Sequence, residues 1–278
     1  MGNFYFYAEQ YLTLRDVYRG PRPGTAHSEA DDIPFARHSA SMTSQLTPFP
    51  DDWTTALCVV AHPDDIEFGG SGAIATWTAA GKSVGYLLLT RGEAGIDGLA
   101  PEECAKVREA EQRAGAEAVG VTAVEFLDHP DGTLTYGTRL RRDIAAAIRR
   151  ARPQLVVGYN HRDTTSTAKW NTADHRAAGR ALLDAVGDAG NRWIFPDVDE
   201  EPWAGVRYVA MMASPEPTHA IDVSDGVESA VASMEAHRTY LSGLGFTGDV
   251  RAPVTGQYAQ TGERFGGVPA VAFELVNR

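Results

Sequence analysis

The residues Ala61-His62-Pro63-Asp64-Asp65 set an imidazole and two adjacent carboxylates directly after the apolar run Ala56-Leu57-Cys58-Val59-Val60. Imidazole nitrogen and carboxylate oxygen suit zinc, and a catalytic zinc site takes three protein ligands and a water. Pro63 biases His62 toward an extended backbone, so its ring is expected to project from a strand tip. Asp64 and Asp65 are neighbours, and neighbouring side chains diverge in an extended or turning backbone. One carboxylate can then join His62 on a cation while the other faces the cation's water. The plain alternative is a proline turn with two solvated aspartates. The buried strand just before it favours the chemical reading.

A third candidate ligand lies far downstream. Asp174-His175 falls in the first turn of a predicted helix, after a fourth strand and its loop. Ligands from separate strand ends can meet at one sheet edge. Alone, His175 reads as a helix-start histidine without a partner; with residues 61–65 it reads as a ligand.

Two further loops carry polar groups at strand ends. Arg91-Gly92-Glu93-Ala94-Gly95 follows the second strand, where glycine permits a close backbone approach and arginine can bond hydroxyl or phosphate oxygens. A surface turn with a structural ion pair is the equal alternative. Asp131-Gly132 follows the third strand, as a substrate rim or as a turn. His129, His219 and His237 have no spacing that demands a metal, and His237 is expected to be structural. Gly70-Ser71-Gly72-Ala73-Ile74-Ala75 matches a loose dinucleotide fingerprint, but it sits too far from the strand end, and no acidic residue closes the second strand. Ser71 lacks the last glycine and the tight turn of a nucleophile elbow.

The ordered set of these motifs resembles the PIG-L/LmbE family of zinc-dependent sugar de-N-acetylases. The resemblance runs through residues 61–65, Leu89 to Gly95, Phe126-Leu127-Asp128-His129-Pro130-Asp131-Gly132, Asp174-His175-Arg176 and Ala272-Phe273-Glu274-Leu275. It covers roughly residues 54–278 in the family's order. It implies that His62, Asp65 and His175 hold Zn2+, or another divalent metal, and that Asp64 is the general base. It implies that Arg91, Glu93 and Asp131 contact the substrate. The reaction implied is hydrolysis of an N-acetyl or other N-acyl group from an amino sugar or sugar-containing metabolite. One departure stands out. The family often carries His-Pro-Asp-His where this chain has Thr172-Ala173-Asp174-His175, and the first histidine is credited with help at the oxyanion. Thr172 cannot carry a proton charge and is expected to cap the helix. Oxyanion or supporting roles therefore fall to His161, Trp170, Asn171, Thr172 or Asp174, or Asp64 shuttles the proton alone. A metal-binding carrier or scaffold without turnover, and an amidase acting on a non-sugar natural product, are the alternatives.

These residues need elements to position them. Strands are expected at 56–61, 84–89, 124–127 and 155–158, with helices at 70–80, 101–120, 139–150 and 172–186. Pro101 suits a first helical position and Glu102-Glu103 the positive end of its dipole. Leu140, Ile144 and Ile148 recur four apart on one helix face. Strands alternating with helices imply a Rossmann-like three-layer α/β/α fold with a mostly parallel sheet. Further strands are expected at 206–211, 219–223 and 269–276, a helix at 227–241, and a glycine-rich loop at 243–267. That loop and the loop at 159–171 are expected to set substrate choice.

Composition narrows the classes. A net charge of -12 argues against nucleic acid, which needs a basic face. Cys58 and Cys104 provide no disulfide framework. No apolar run reaches membrane-span length. The start lacks the basic-then-apolar pattern of a signal peptide, so a cytoplasmic protein is expected. Residues 1–53 are read as an N-terminal arm, aromatic over Asn3 to Tyr18, lying over the main domain or joining a homo-oligomer. Residues 54–278 are read as the α/β domain.

Overall fold

The computed structural model describes residues 45–276. Residues 1–44 of the arm expected over 1–53 lie outside them. An eight-stranded sheet runs in the order β1-β7-β8-β6-β5-β2-β3-β4. Its strands are β1 (Thr47–Pro48), β2 (Thr55–Val60), β3 (Ser83–Leu88), β4 (Ala123–Phe126), β5 (Leu155–Tyr159), β6 (Tyr208–Met212), β7 (His219–Asp222) and β8 (Ala270–Val276). All neighbours pair in parallel except β8, which is antiparallel to β6 and β7.

The central strands are buried on both faces, which is why their sequences are near-continuous apolar runs rather than alternating ones. Ala56, Cys58 and Val60 of β2 enter one core, and Leu57, Val59 and Ala61 the other. The first core is covered by α1 (Asp65–Gly69), α2 (Ser71–Ala79), α3 (Pro101–Ala118), α6 (Val227–Glu235) and α8 (Arg251–Gly262). The second is covered by α4 (Thr138–Ala151) and α5 (Ala173–Gly190), through Leu140, Ile144 and Ile148 and through Ala178, Ala181 and Leu182. This is the expected three-layer α/β/α sandwich. Leu46, Phe49 and Trp53 are buried, and Phe49 and Trp53 pack on Trp77 at ring distances of 5.4 and 5.0 Å. Residues 46–53 are therefore part of the domain rather than of an arm.

Two stretches differ from expectation. The helix expected over 227–241 is two helices, α6 and α7 (Arg238–Gly243). Glu111 provides the break: its carboxylate accepts the first free N–H groups of α7, from Thr239 and Tyr240. The loop expected over 243–267 contains the twelve-residue α8. Its glycines mostly flank the helix, Pro253 sits in the first turn where proline is tolerated, and Val254 and Tyr258, four apart, bury against the sheet. Gly70 separates α1 from α2. Ser71 is fully buried, its hydroxyl near Glu67 O and the Tyr258 hydroxyl, so it is not an exposed nucleophile.

Candidate active site and metal centre

The chain leaves β2 toward β3 on one side, while its neighbour β5 leads to β6 on the other. Strand order reverses between them, and crevices at the carboxyl ends of such a pair are where open α/β sheets bind ligands. His62, Asp64 and Asp65 follow β2. Asn171, Thr172, Asp174 and His175 follow β5. The Asp131 loop follows β4, one strand beyond β3.

His62, Asp65 and His175 are all buried, and each offers a ligand atom within 4.8 Å of the others'. Asp65 folds the loop back on itself by accepting the His62 backbone N–H at 2.9 Å through Oδ2. Its Oδ1 lies 3.0 Å from His175 Nε2. Burial opposes the charge on Asp65, but His175 and His62 outweigh it and hold the carboxyl well below the usual range.

The hydrogen bonds around His175 decide what belongs between these atoms. Asn171 donates Nδ2 to the carbonyls of Asn160 and Arg162, so its Oδ1 is the acceptor. That oxygen takes the Thr172 N–H and stands 3.1 Å from His175 Nδ1, which must donate. In a neutral ring Nε2 then presents a lone pair to a carboxylate oxygen 3.0 Å away. Two acceptors face each other, an arrangement that a proton or a metal cation satisfies. The second imidazole repeats the pattern. His62 Nε2 is 3.2 Å from both Asp131 Oδ1 and Asp174 Oδ2, leaving Nδ1 on the Asp65 side at 3.7 Å. A histidine that donates one ring nitrogen to a carboxylate or amide oxygen while offering the other to a cation is the usual support of metal ligands. The residues present fit a divalent cation.

Asp174 serves this support. It is 1 % exposed and accepts Gly132 N–H on Oδ2 at 2.8 Å and Leu134 N–H on Oδ1 at 3.0 Å. Asp131 accepts Ala94 N–H at 2.9 Å, and its own N–H goes to Glu93 Oε1 at 2.8 Å. Burial opposes its charge, and His62 and Arg108 overcome that, so its pKa is lowered. Asp131 and Glu93 thus latch two loops around His62. Arg91 pairs with Asp128 and Glu109. Thr172 caps α5 by accepting His175 N–H at 3.2 Å. His161 packs against Gly179, and the charges acting on it are Glu274, Arg162, Arg180 and Glu216, none of them in the cluster. Trp170 is 57 % exposed, with the Arg176 guanidinium over its ring.

Asp64 has a different environment. Burial pushes its carboxyl up, against the pull of Arg108. Arg108 Nη2 donates to Oδ1 at 3.0 Å and also to Pro63 O. A raised carboxyl pKa brings a base toward the operating range of a neutral-pH enzyme. Arg108 itself is buried, lies over the Tyr240 ring at 3.8 Å, and donates to Gly92 O. A side chain at Gly92 would occupy the space of this guanidinium, and its φ of 65° is left-handed, so glycine is required twice over.

The sequence reasoning did not single out Arg108, Gln112, Glu67 or Tyr159. Arg108 and Gln112 are four apart on α3, with polar side chains on a buried face. The sequence of α3 does not mark that face as the buried one, so no local signal singled them out. Tyr159 ends β5, its ring centroid 4.5 Å from that of His175. Burial, with Asp65 and Asp64 nearby, raises its pKa, so the phenol stays neutral and able to donate.

The buried nitrogen and carboxylate atoms of His62, Asp65 and His175, close enough to share one cation, make a candidate metal site, and the comparisons point the same way. Residues 57–186 match the family model PIG-L, described as GlcNAc-PI de-N-acetylase. The chain is 32 % identical over 199 residues to diacetylchitobiose deacetylase of Thermococcus kodakarensis, spanning 68 % of this chain and 70 % of that one. The chain belongs to the PIG-L family. The structure superposes on N,N'-diacetylchitobiose deacetylase from Pyrococcus horikoshii with a TM-score of 0.71 at 22 % identity, covering 81 % and 84 % of the two chains. It also superposes on 4-carboxy-2-hydroxymuconate hydratase from Pseudomonas putida with a TM-score of 0.65 at 19 % identity, covering 81 % and 97 %. The fold alone therefore does not fix the reaction, and the site residues must carry the argument. Among the described residues no helix is long and apolar enough to cross a membrane.

Proposed function

We propose that this protein is a zinc-dependent hydrolase that removes an N-acetyl, or other N-acyl, group from an amino sugar or a sugar-containing metabolite. The observation that carries the reading is the pair of facing acceptors, His175 Nε2 and Asp65 Oδ1, with His62 Nδ1 turned toward the same gap. His62, Asp65 and His175 would hold the ion. When bound, zinc supplies Lewis acidity that polarises a carbonyl and acidifies water. Asp174, Asp131 and Asn171 keep the imidazoles in the tautomers the ion needs. Asp64 takes the proton of the attacking water and passes it to the departing nitrogen. Arg108 occupies only Oδ1 of Asp64; among the described residues no hydrogen bond engages Oδ2, which is the oxygen left for that proton. Arg91, paired with Asp128 and Glu109, would meet sugar hydroxyls by giving up those partners.

The kind of amide follows from kinship with a chitobiose deacetylase and a GlcNAc-PI de-N-acetylase model. Asp64→Asn tests the assignment: turnover of N-acetylated sugars is expected to fall by about two to four orders of magnitude, the range for a general acid–base group, with zinc still bound. Full turnover in that variant sinks the mechanism. One observation favours a second reading, a metal-binding protein without turnover. The threonine in place of the family's histidine spends its hydroxyl on the helix cap. Zinc-loaded protein that turns over no member of a panel of N-acetyl sugars would select it.

A further inference from the structure

Asp64 has φ 107° and ψ -24°. Left-handed backbone is uncommon for a residue with a side chain, and such strained positions persist only where the surroundings over-determine them. What holds Asp64 there is one turn of α3. Arg108 grips its carboxylate at 3.0 Å, and Gln112, four residues on and fully buried, accepts its backbone N–H on Oε1 at 2.9 Å. Residues four apart share a helix face, so one face of α3 binds the side chain and the main chain of the same aspartate.

The orientation of Gln112 is itself fixed. Its Nε2 donates to Glu67 Oε1 at 3.0 Å. Glu67 is 2 % exposed, with Ser233 Oγ 3.1 Å from Oε1 and His237 Nε2 3.5 Å from Oε2. A carboxylate cannot donate, so the amide nitrogen must face Glu67 and the amide oxygen must face Asp64. Without that oxygen the Asp64 N–H would be buried and unsatisfied, which is costly. The peptide would turn toward negative φ, and the carboxylate would swing off Arg108.

We propose that Gln112, oriented by Glu67, is a positioning residue that locks Asp64 in its left-handed conformation and so aims the base beside His62 and Asp65. The role in turnover rests on the hydrolase reading; the conformational role does not.

Three variants test it. Gln112→Met keeps the volume and removes both hydrogen bonds. A crystal structure of that variant is expected to show residue 64 at negative φ with its carboxylate off Arg108. In the zinc-loaded protein, kcat is expected to fall about 10–100-fold, the scale of a small misplacement of a reacting group, with KM and zinc stoichiometry unchanged. The double variant Glu67→Gln/Gln112→Glu reverses the polarity of the link but keeps an acceptor for Asp64 N–H. It is expected to restore positive φ and bring kcat back to within about threefold of the parent, again judged against that scale. If Gln112→Met does not fold, Gln112→Asn, one methylene too short to reach both partners, takes its place. Positive φ retained at residue 64 in the single variant overturns the proposal, and the crystal shows this whether or not the protein is a hydrolase. Unchanged kcat, or a loss that the double variant does not recover, overturns it as well.

Discussion

Asp174→Asn separates ligand support from ligation, because residue 174 touches three donors and stands outside the proposed ligand set. In the parent, Oδ2 faces Gly132 N–H and His62 Nε2, and Oδ1 faces Leu134 N–H. An amide keeps one oxygen. If that oxygen stays with Gly132 and His62, an NH2 group confronts Leu134 N–H, and one buried donor goes unsatisfied, at about 1–3 kcal/mol. The reverse orientation strands Gly132 N–H and leaves His62 Nε2 with Asp131 alone. The favoured rotamer therefore costs about 1–3 kcal/mol of stability. For a domain of this size, that is a melting temperature lower by roughly 2–12 °C, measured on chelator-treated protein. The second effect concerns the metal. Losing one of the two carboxylates behind His62 weakens its hold on the Nε2–H tautomer, and such changes reduce metal affinity about 10–100-fold. Competition against a chromophoric chelator measures it. Zinc affinity within twofold of the parent would refute the claim that Asp174 orients His62 as a ligand, whatever happens to the melting temperature.

Arg108→Met leaves the Asp64 carboxylate buried without its countercharge, and is expected to destabilise the fold by about 3–5 kcal/mol in urea unfolding; a loss under about 1 kcal/mol would show that the pair is not the main partner of Asp64. His237 makes the fold's pH dependence testable. Burial pulls its pKa down, but Glu67 and Asp64 outweigh burial, so the native value is raised. A raised native pKa gives stability that is complete below the unfolded value near pH 6.5 and is lost as pH climbs through the native value. The excess unfolding free energy of the parent over His237→Gln should accordingly be greater at about pH 6 than at about pH 9; a flat difference contradicts it. Gly92→Ala is expected to destabilise the loop, since a methyl group there meets the Arg108 guanidinium at a left-handed φ; a melting temperature equal to the parent's would mean that the guanidinium yields.

Much of this was legible in the sequence because it was local. The run 56–60 ends in His-Pro-Asp-Asp, and the helix start at Asp174-His175 is marked by Thr172, so two of the three loops around the site could be placed from their own residues. The three-layer fold followed from strands buried on both faces. What stayed hidden depended on contacts distant in sequence. Asp131, read as a substrate contact, turns its carboxylate onto His62 across 69 residues, and no spacing announces that. Gln112 and Arg108 looked like ordinary positions on an amphipathic helix. The helix α8 was masked by flanking glycines, and the break between α6 and α7 was set by Glu111 on another element. His161, weighed as a stand-in for the missing histidine, lies among Glu274 and Arg162 instead.

The central claim is that one cation sits between β2 and β5 on a particular set of atoms. Diffraction from zinc-loaded crystals, with anomalous data at the zinc edge, tests it most directly. The account predicts a single ion bonded by His62 Nδ1, an Asp65 oxygen and His175 Nε2, at about 2.0–2.2 Å, with Asp64 not ligated. An ion held instead by His62 Nε2 with Asp131 and Asp174, the other trio among the described residues that could take one, or density away from His175, would contradict it.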